Sequence, residues 1–136
     1  MTPTAAELFV DTSAIFALLD RGDINHAAAA AFFEAPADAF KLRTHSFVLA
    51  ESSALVQRRL GTPSVRALHD GLLPAMDFVW VGDDLYRPAV TALLSAPGAD
   101  VSLVDRISFE LMRREGIASA FAFDRHFSAA GLQTVP

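Results

Sequence analysis

The chain contains no cysteine. That removes disulfides, thiolate zinc sites and thiol nucleophiles together, and it fits a cytoplasmic home. Lysine is nearly missing as well: Lys41 is the only one among eleven basic residues, and the rest are arginine. Arginine can fork onto phosphate, although genome composition produces the same bias. A phospho-receiver domain wants a lysine after its last strand, and Lys41 comes far too early. No glycine-rich phosphate loop occurs, which argues against nucleoside triphosphatases and dinucleotide enzymes. His26, His45, His69 and His126 form no His-x-x-x-His pair, so a zinc site is not expected. No apolar run approaches the ~18–20 residues needed to cross a bilayer. The start of the chain lacks a basic region, and Glu7 and Asp11 interrupt its apolar residues, so no signal peptide is expected. Positive charge is in deficit, with a formal net charge of −5. That argues against a protein that grips duplex DNA by phosphate contacts alone.

What is present is a core. The 136 residues are 52% hydrophobic, enough for one folded domain spanning 1–136. Leu8 to Val10 reads as a short buried strand, followed by a helix from Ser13 to Asp20. Ile24 to Ala35 is an alanine-rich helix that Pro36 stops. Phe40 to Thr44 alternates as a strand does. Phe47 to Leu60 is a helix closed by Gly61, and Thr62 caps the next, with Pro63 at its first position, to about Leu73. Phe78 to Val81 is an apolar strand in which the lone Trp80 is expected to pack. Asp83 and Asp84 cap a helix to about Leu94. Leu103 to Glu115 is a helix stopped by Gly116, and Ala120–Phe123 and Gln133–Val135 are strands. Strands alternating with helices predict an α/β fold: a mainly parallel central sheet covered on both faces.

Four carboxylates fall where a strand hands over to a helix, or in the first turns of a helix. They are Asp11 after Leu8-Phe9-Val10, Glu51, Asp105, and Asp124 after Ala120-Phe121-Ala122-Phe123. Strand C-ends and the following helix N-ends share one edge of a parallel sheet, and ligands bind there. Each acid has a structural alternative. Asp11 and Asp124 suit helix caps, Ser102-x-x-Asp105 suits a capping box, and Glu51 suits a helix dipole. Glu51 stands in an apolar stretch and is expected near the core edge, with a partner. Together, four close carboxylates need cations to stay ionised, and hard oxygen donors suit Mg²⁺ or Mn²⁺. Asp-x-Asp phosphatases are a rival, but position 13 is Ser. Asp100 reads as a loop residue.

Leu-Phe-Val-Asp11-Thr12-Ser13, Leu-Ala-Glu51-Ser-Ser, Ser102-Leu-Val-Asp105 and Ala-Phe-Asp124-Arg-His-Phe resemble, in order, the four acidic motifs of the PIN-domain family. Asn25-His26 matches a segment often seen after the first helix. The resemblance covers essentially the whole chain and is nearest to small VapC-like toxins of bacterial toxin–antitoxin pairs. It implies a three-layer α/β/α sandwich and Mg²⁺- or Mn²⁺-dependent cleavage of RNA. Asp11, Glu51, Asp105 and Asp124 would act as catalytic and metal-holding residues, with Thr12, Ser13 and Ser102 supporting them. It also implies a homodimer and a cognate antitoxin. Alternatives are a PIN-like module that binds RNA or protein without cutting, and a DNA nuclease of the same fold. Phe32 and Phe33 cannot both face one core with equal depth from the same helix, so that helix and Phe47–Leu60 are expected to form part of an antitoxin groove, the alternative being that both phenylalanines are core.

Overall fold

In a computed structural model, residues 6–35 and 39–136 are described. Five strands run β1 (Ala6–Val10), β2 (Phe40–His45), β3 (Asp77–Val79), β4 (Ser119–Phe121) and β5 (Gln133–Val135). They form one all-parallel sheet in the order β3-β2-β1-β4-β5. β1 lies at the centre because Leu8, Phe9 and Val10 are apolar in a row and can be covered on both faces; all three are fully buried.

The helices are α1 (Thr12–Leu19), α2 (His26–Phe33), α3 (Ser46–Leu60), α4 (Thr62–Ala67), α5 (Asp83–Leu94), α6 (Leu103–Glu115) and α7 (Arg125–Ala129). α1 packs on α2 and α3, and α3 on α4, while α5 packs on α6. The fold is therefore the expected α/β sandwich. Phe9 stacks on Phe127 of α7, and Phe127 meets Phe109 of α6 edge-on. Phe32 packs on Phe40 and Phe121, which makes it a core residue. Phe33 is likewise half-buried against the core, and it also lines a groove with Leu18, Leu19, His26 and Leu72. That groove lies between α2, the end of α1 and the segment after α4, and not along α3.

Several boundaries differ from the sequence reading. The expected Ile24–Ala35 helix begins only at His26, and Ile24 is exposed in the preceding turn. His26 Nδ1 lies 2.7 Å from the Ala17 carbonyl, tying α2 to α1. Thr62 is not the cap of α4; Gly61 is, with a φ of 89° that only glycine adopts without strain. The helix expected to run to Leu73 widens after Ala67 into a π turn over Leu68–Leu72, then tightens over Leu73–Ala75. Gly71 inside that span weakens regular α geometry. Asp83 and Asp84 fill the first turn of α5, but Gly82 occupies the cap position. Pro88 sits inside α5. It cannot donate to the Asp84 carbonyl, and Arg114 of α6 donates there instead. The turn expected before β5 is the short helix α7. β3 ends at Val79, leaving Trp80 outside the strand and 76% exposed, against the expectation that it packs.

A buried histidine joins the two halves at the sheet edge. His45 closes β2 and caps α3: its Nδ1 accepts from the amides of Phe47 and Val48 at 3.2 and 3.3 Å. Nε2 must then carry the proton and donates to Ser108 Oγ at 2.9 Å, which donates to the Val104 carbonyl. Burial lowers the His45 pKa to about 4, so the ring is neutral. His45→Leu keeps the volume but leaves two buried amides without an acceptor. It is expected to lower the unfolding free energy by about 2–3 kcal/mol in urea melts.

Candidate active site

Asp11 directly follows β1 and is 2% exposed. Its amide extends the ladder by donating to the Phe121 carbonyl of β4 at 3.1 Å. Its carboxylate caps α1, accepting at Oδ2 from the Ser13 amide (3.1 Å) and the Ser13 hydroxyl (2.6 Å). The same hydroxyl accepts from the Phe123 amide at 3.0 Å, so Ser13 locks the ends of β1 and β4 together. Burial pushes the Asp11 carboxyl up to about 6, against the pull of the Ser13 bonds, and the Asp124 charge pushes the same way. Ser13→Ala removes the hydroxyl from both partners. It is expected to raise the Asp11 pKa further and to cost about 1–2 kcal/mol in a thermal melt.

Asp105 lies in the first turn of α6 and is nearly buried. Only half of the expected capping box forms: the Ser102 hydroxyl accepts from the Asp105 amide at 3.1 Å. The Asp105 carboxylate instead approaches His126, with Oδ2 3.4 Å from Nδ1. Burial raises its pKa to about 6, and the charges of Asp11, Asp124 and Glu51 add to the rise while His126 opposes it. Asp124 caps α7 through the His126 amide at 2.8 Å. Asp105 thus feels the charges of Asp11, Asp124 and Glu51, and Asp11 that of Asp124, and the cap readings of Asp11 and Asp124 hold as well. A cap fixes a carboxylate at a strand end, which is also what a site requires.

Two placements differ from expectation. Glu51 is exposed on α3 and is not at the core edge. Helix periodicity explains this: neighbouring Ser52 takes the buried position instead. Thr12 is buried and lies 3.5 Å from Ser52 Oγ, a contact between α1 and α3 rather than one to a carboxylate.

His126 was missed. One ligand atom each from Asp105, Asp124 and His126 falls within a 4.8 Å span. His126 Nδ1 is 2.8 Å from Asp124 Oδ1, yet the ring N–H is not aimed at that oxygen and this buried nitrogen makes no hydrogen bond. On its other side Nε2 is 3.0 Å from Asp100 Oδ1, and Asp100 also pairs with Arg125 at 2.9 Å. The Asp100 hydrogen bond holds the imidazole above its ordinary pKa, and the Asp124 charge helps. Asp100 is a loop residue, as read, but one that steadies the imidazole. The sequence signal was the position of His126 two residues after Asp124, where the first turn of a helix returns a side chain to its cap.

The donor chemistry fits a divalent cation. The four acids offer carboxylate oxygens, and Asp11 and Asp105 have raised pKa values because burial outweighs the groups that oppose it. The PIN domain matches residues 8–132. The chain belongs to the PIN-domain family. It is 36% identical over 129 residues to the 23S rRNA-specific endonuclease VapC20 of Mycobacterium tuberculosis, covering 94% of this chain and 97% of that protein. The crystal structure of VapC20, described as a Sarcin-Ricin loop cleaving toxin, superposes with a TM-score of 0.82 at 35% identity, over 92% of this chain and 95% of the other. Two more distant structures share the fold. VapBC2 from Rickettsia felis, solved bound to a DNA fragment from its promoter, has a TM-score of 0.69 at 15% identity, over 94% and 96% of the two chains. FitAcB from Neisseria gonorrhoeae has a TM-score of 0.67 at 14% identity, over 95% and 96%. PIN nucleases generally depend on divalent metal, and the acidic group at the sheet edge is consistent with that.

Proposed function

We propose that this PIN-domain protein is a Mg²⁺- or Mn²⁺-dependent endoribonuclease, the toxin of a toxin–antitoxin pair. The observation that supports the reading is the buried Asp105, on which the charges of Asp11, Asp124 and Glu51 all bear, beside a buried Asp11 that also feels Asp124. These four would hold the cation. Bound there, a divalent cation supplies neutralisation of the scissile phosphate and a lowered pKa for the attacking water. The chain's own residues do the positioning. Ser13 fixes one Asp11 oxygen through its amide and its hydroxyl. Ser102 orients the first turn of α6 and with it Asp105. His126, held by Asp100, stands beside Asp105 and Asp124, where its protonated form would offset their repulsion.

Ribosomal RNA is the first substrate to try, because the 36% identical relative is a 23S rRNA-specific endonuclease. Purified protein is expected to cut RNA when Mg²⁺ or Mn²⁺ is added and to stop when it is chelated. Cleavage that persists in chelator would overturn the reading. It also includes a cytoplasmic homodimer and an antitoxin whose amphipathic segment docks near Phe33. Phe33→Asp is expected to weaken the complex with the product of a small neighbouring gene by about tenfold, the loss of roughly 1.4 kcal/mol of apolar contact. An unchanged Kd in a folded variant would move the groove elsewhere.

A further inference from the structure

Trp80 lies on the same edge as the acids. Phe9 of β1 faces Arg43 of β2, and Arg43 faces Asp77 of β3. Counting two residues on, Asp11, His45 and Val79 stand at one level, and Trp80 is the next residue outward from Val79. β3 is two strands from β1, so the C-end of β3 is about 10 Å along the edge from Asp11. The backbone around Trp80 is held on both sides. Val79 pairs with His45, and the Val81 amide donates to the Ser46 hydroxyl at 2.9 Å. Ser46 opens α3, the helix that carries Glu51. A large ring on a fixed backbone is nonetheless left 76% exposed. Among the described residues it joins no aromatic pair, whereas Tyr86 on the following helix rests edge-on against Phe47 at 5.9 Å.

From this we infer that Trp80 is a stacking platform for an unpaired base of the RNA substrate; the inference rests on the ribonuclease reading of the acid site. An acidic protein gains little from phosphate attraction, and base–aromatic stacking supplies affinity that does not need net positive charge. Single-stranded loops and bulges present bases that can lie flat on an indole. The pattern of exposure favours a base over a second copy of the chain. An interface between copies wants contiguous apolar surface, but Gly82, Asp83 and Asp84 follow in exposed positions. Among the described residues the other strongly exposed large apolar side chains are Ile24, between α1 and α2, and Leu94, at the far end of α5. Leu94 is about 17 Å of helix away from the start of α5.

Trp80 is the only tryptophan, so its fluorescence reports the site directly. The probe is a short hairpin oligoribonucleotide with an unpaired loop, added to the full chain in chelator so that it is not cut. The hairpin is expected to quench Trp80, and a fully paired duplex of the same composition to quench it less. In anisotropy titrations of labelled hairpin, Trp80→Ala is expected to raise Kd by about tenfold, while Trp80→Phe, which keeps a ring, stays within a few fold of wild type. The Mn²⁺ stabilisation of Trp80→Ala should equal that of wild type, because the substitution leaves all four acids in place. Unchanged fluorescence at saturating hairpin, or equal Kd values for Trp80→Ala and wild type, overturns the assignment. So does failure of wild type to bind the hairpin, or conversion of a dimer to a monomer by Trp80→Ala on sizing. Quenching by hairpin with no cleavage by the metal-loaded wild type would support the platform and sink the ribonuclease reading alone.

Discussion

Asp11→Asn is expected to stabilise the metal-free protein and to abolish its activity. The two effects have one cause. At pH 7 the wild-type carboxylate is ionised although burial and the Asp124 charge push its pKa up to about 6. Forcing that ionisation in the folded state costs about 2–3 kcal/mol relative to an ordinary aspartate. Asparagine keeps the shape and can still accept from Ser13, so the α1 cap survives while the charge disappears. The melting temperature without metal should therefore rise by several degrees. Cleavage should fall on the order of 10²–10³-fold in kcat, the scale seen when one preorganised electrostatic group leaves a site. Asp105→Asn should follow the same pattern, and Asp124→Asn should lose cleavage as well. Asp83→Ala and Asp77→Ala serve as controls, since those acids are exposed and pair with Arg87 and Lys41. Full activity in two of the site variants, or a melting temperature lowered by Asp11→Asn, would refute the assignment of a strained anionic cluster.

The second large effect is the pH dependence of stability and its removal by metal. Asp11 and Asp105 have folded pKa values of about 6 against 3.8 for an ordinary aspartate. Below pH 3.8 both carboxyls are protonated folded or unfolded, and their contribution to stability is fully present. As pH rises through 6 the unfolded chain has already released protons that the fold retains, so stability falls by a few kcal/mol across this window. The raised His126 pKa acts in the same direction at higher pH. The lowered pKa values of Asp100 and Glu110 act at lower pH with the opposite sign. Comparing wild type with an Asp11→Asn/Asp105→Asn double variant isolates the two buried acids. A divalent cation binds the ionised form, so it should stabilise wild type by about 2.7 kcal/mol at a hundredfold excess over Kd near pH 7. That increment should shrink toward zero near pH 4. An equal Mn²⁺ increment at both pH values, or an equal one in the double variant, would contradict the site.

Much of this was legible because the decisive residues lie at transitions between patterns. Leu8-Phe9-Val10 can only be a central strand, and an acid after it falls at the sheet edge. Ser102 with Asp105 and Gly116 mark both ends of α6. What the sequence hid depended on tertiary partners. The pairing of His126 with Asp100 joins a loop to a helix start across intervening structure, and no local spacing predicts it. His45 looks like a strand residue, yet its role is set by Ser108 on a distant helix. Trp80 was misread because Phe-Val-Trp-Val has strand composition. The ladder stops at Val79, where the chain turns to bond Ser46, and exposure follows from that turn. The π turn after Ala67 lies in a sequence that reads as continuous helix.

The central place of β1 also sets when the acids can come together. Its two neighbours come from opposite ends of the chain: β2 begins at Phe40, but β4 begins only at Ser119. The Ser13 hydroxyl that orients Asp11 finds the Phe123 amide 110 residues further along. At 5–20 residues per second of synthesis, on the order of ten seconds separate the first acid from the strand that seats it. A chain stopped before β4 would hold three of the four acids and lack the Phe123 amide that Ser13 accepts from. The order of synthesis thus delays the completed site until the last strands are in place.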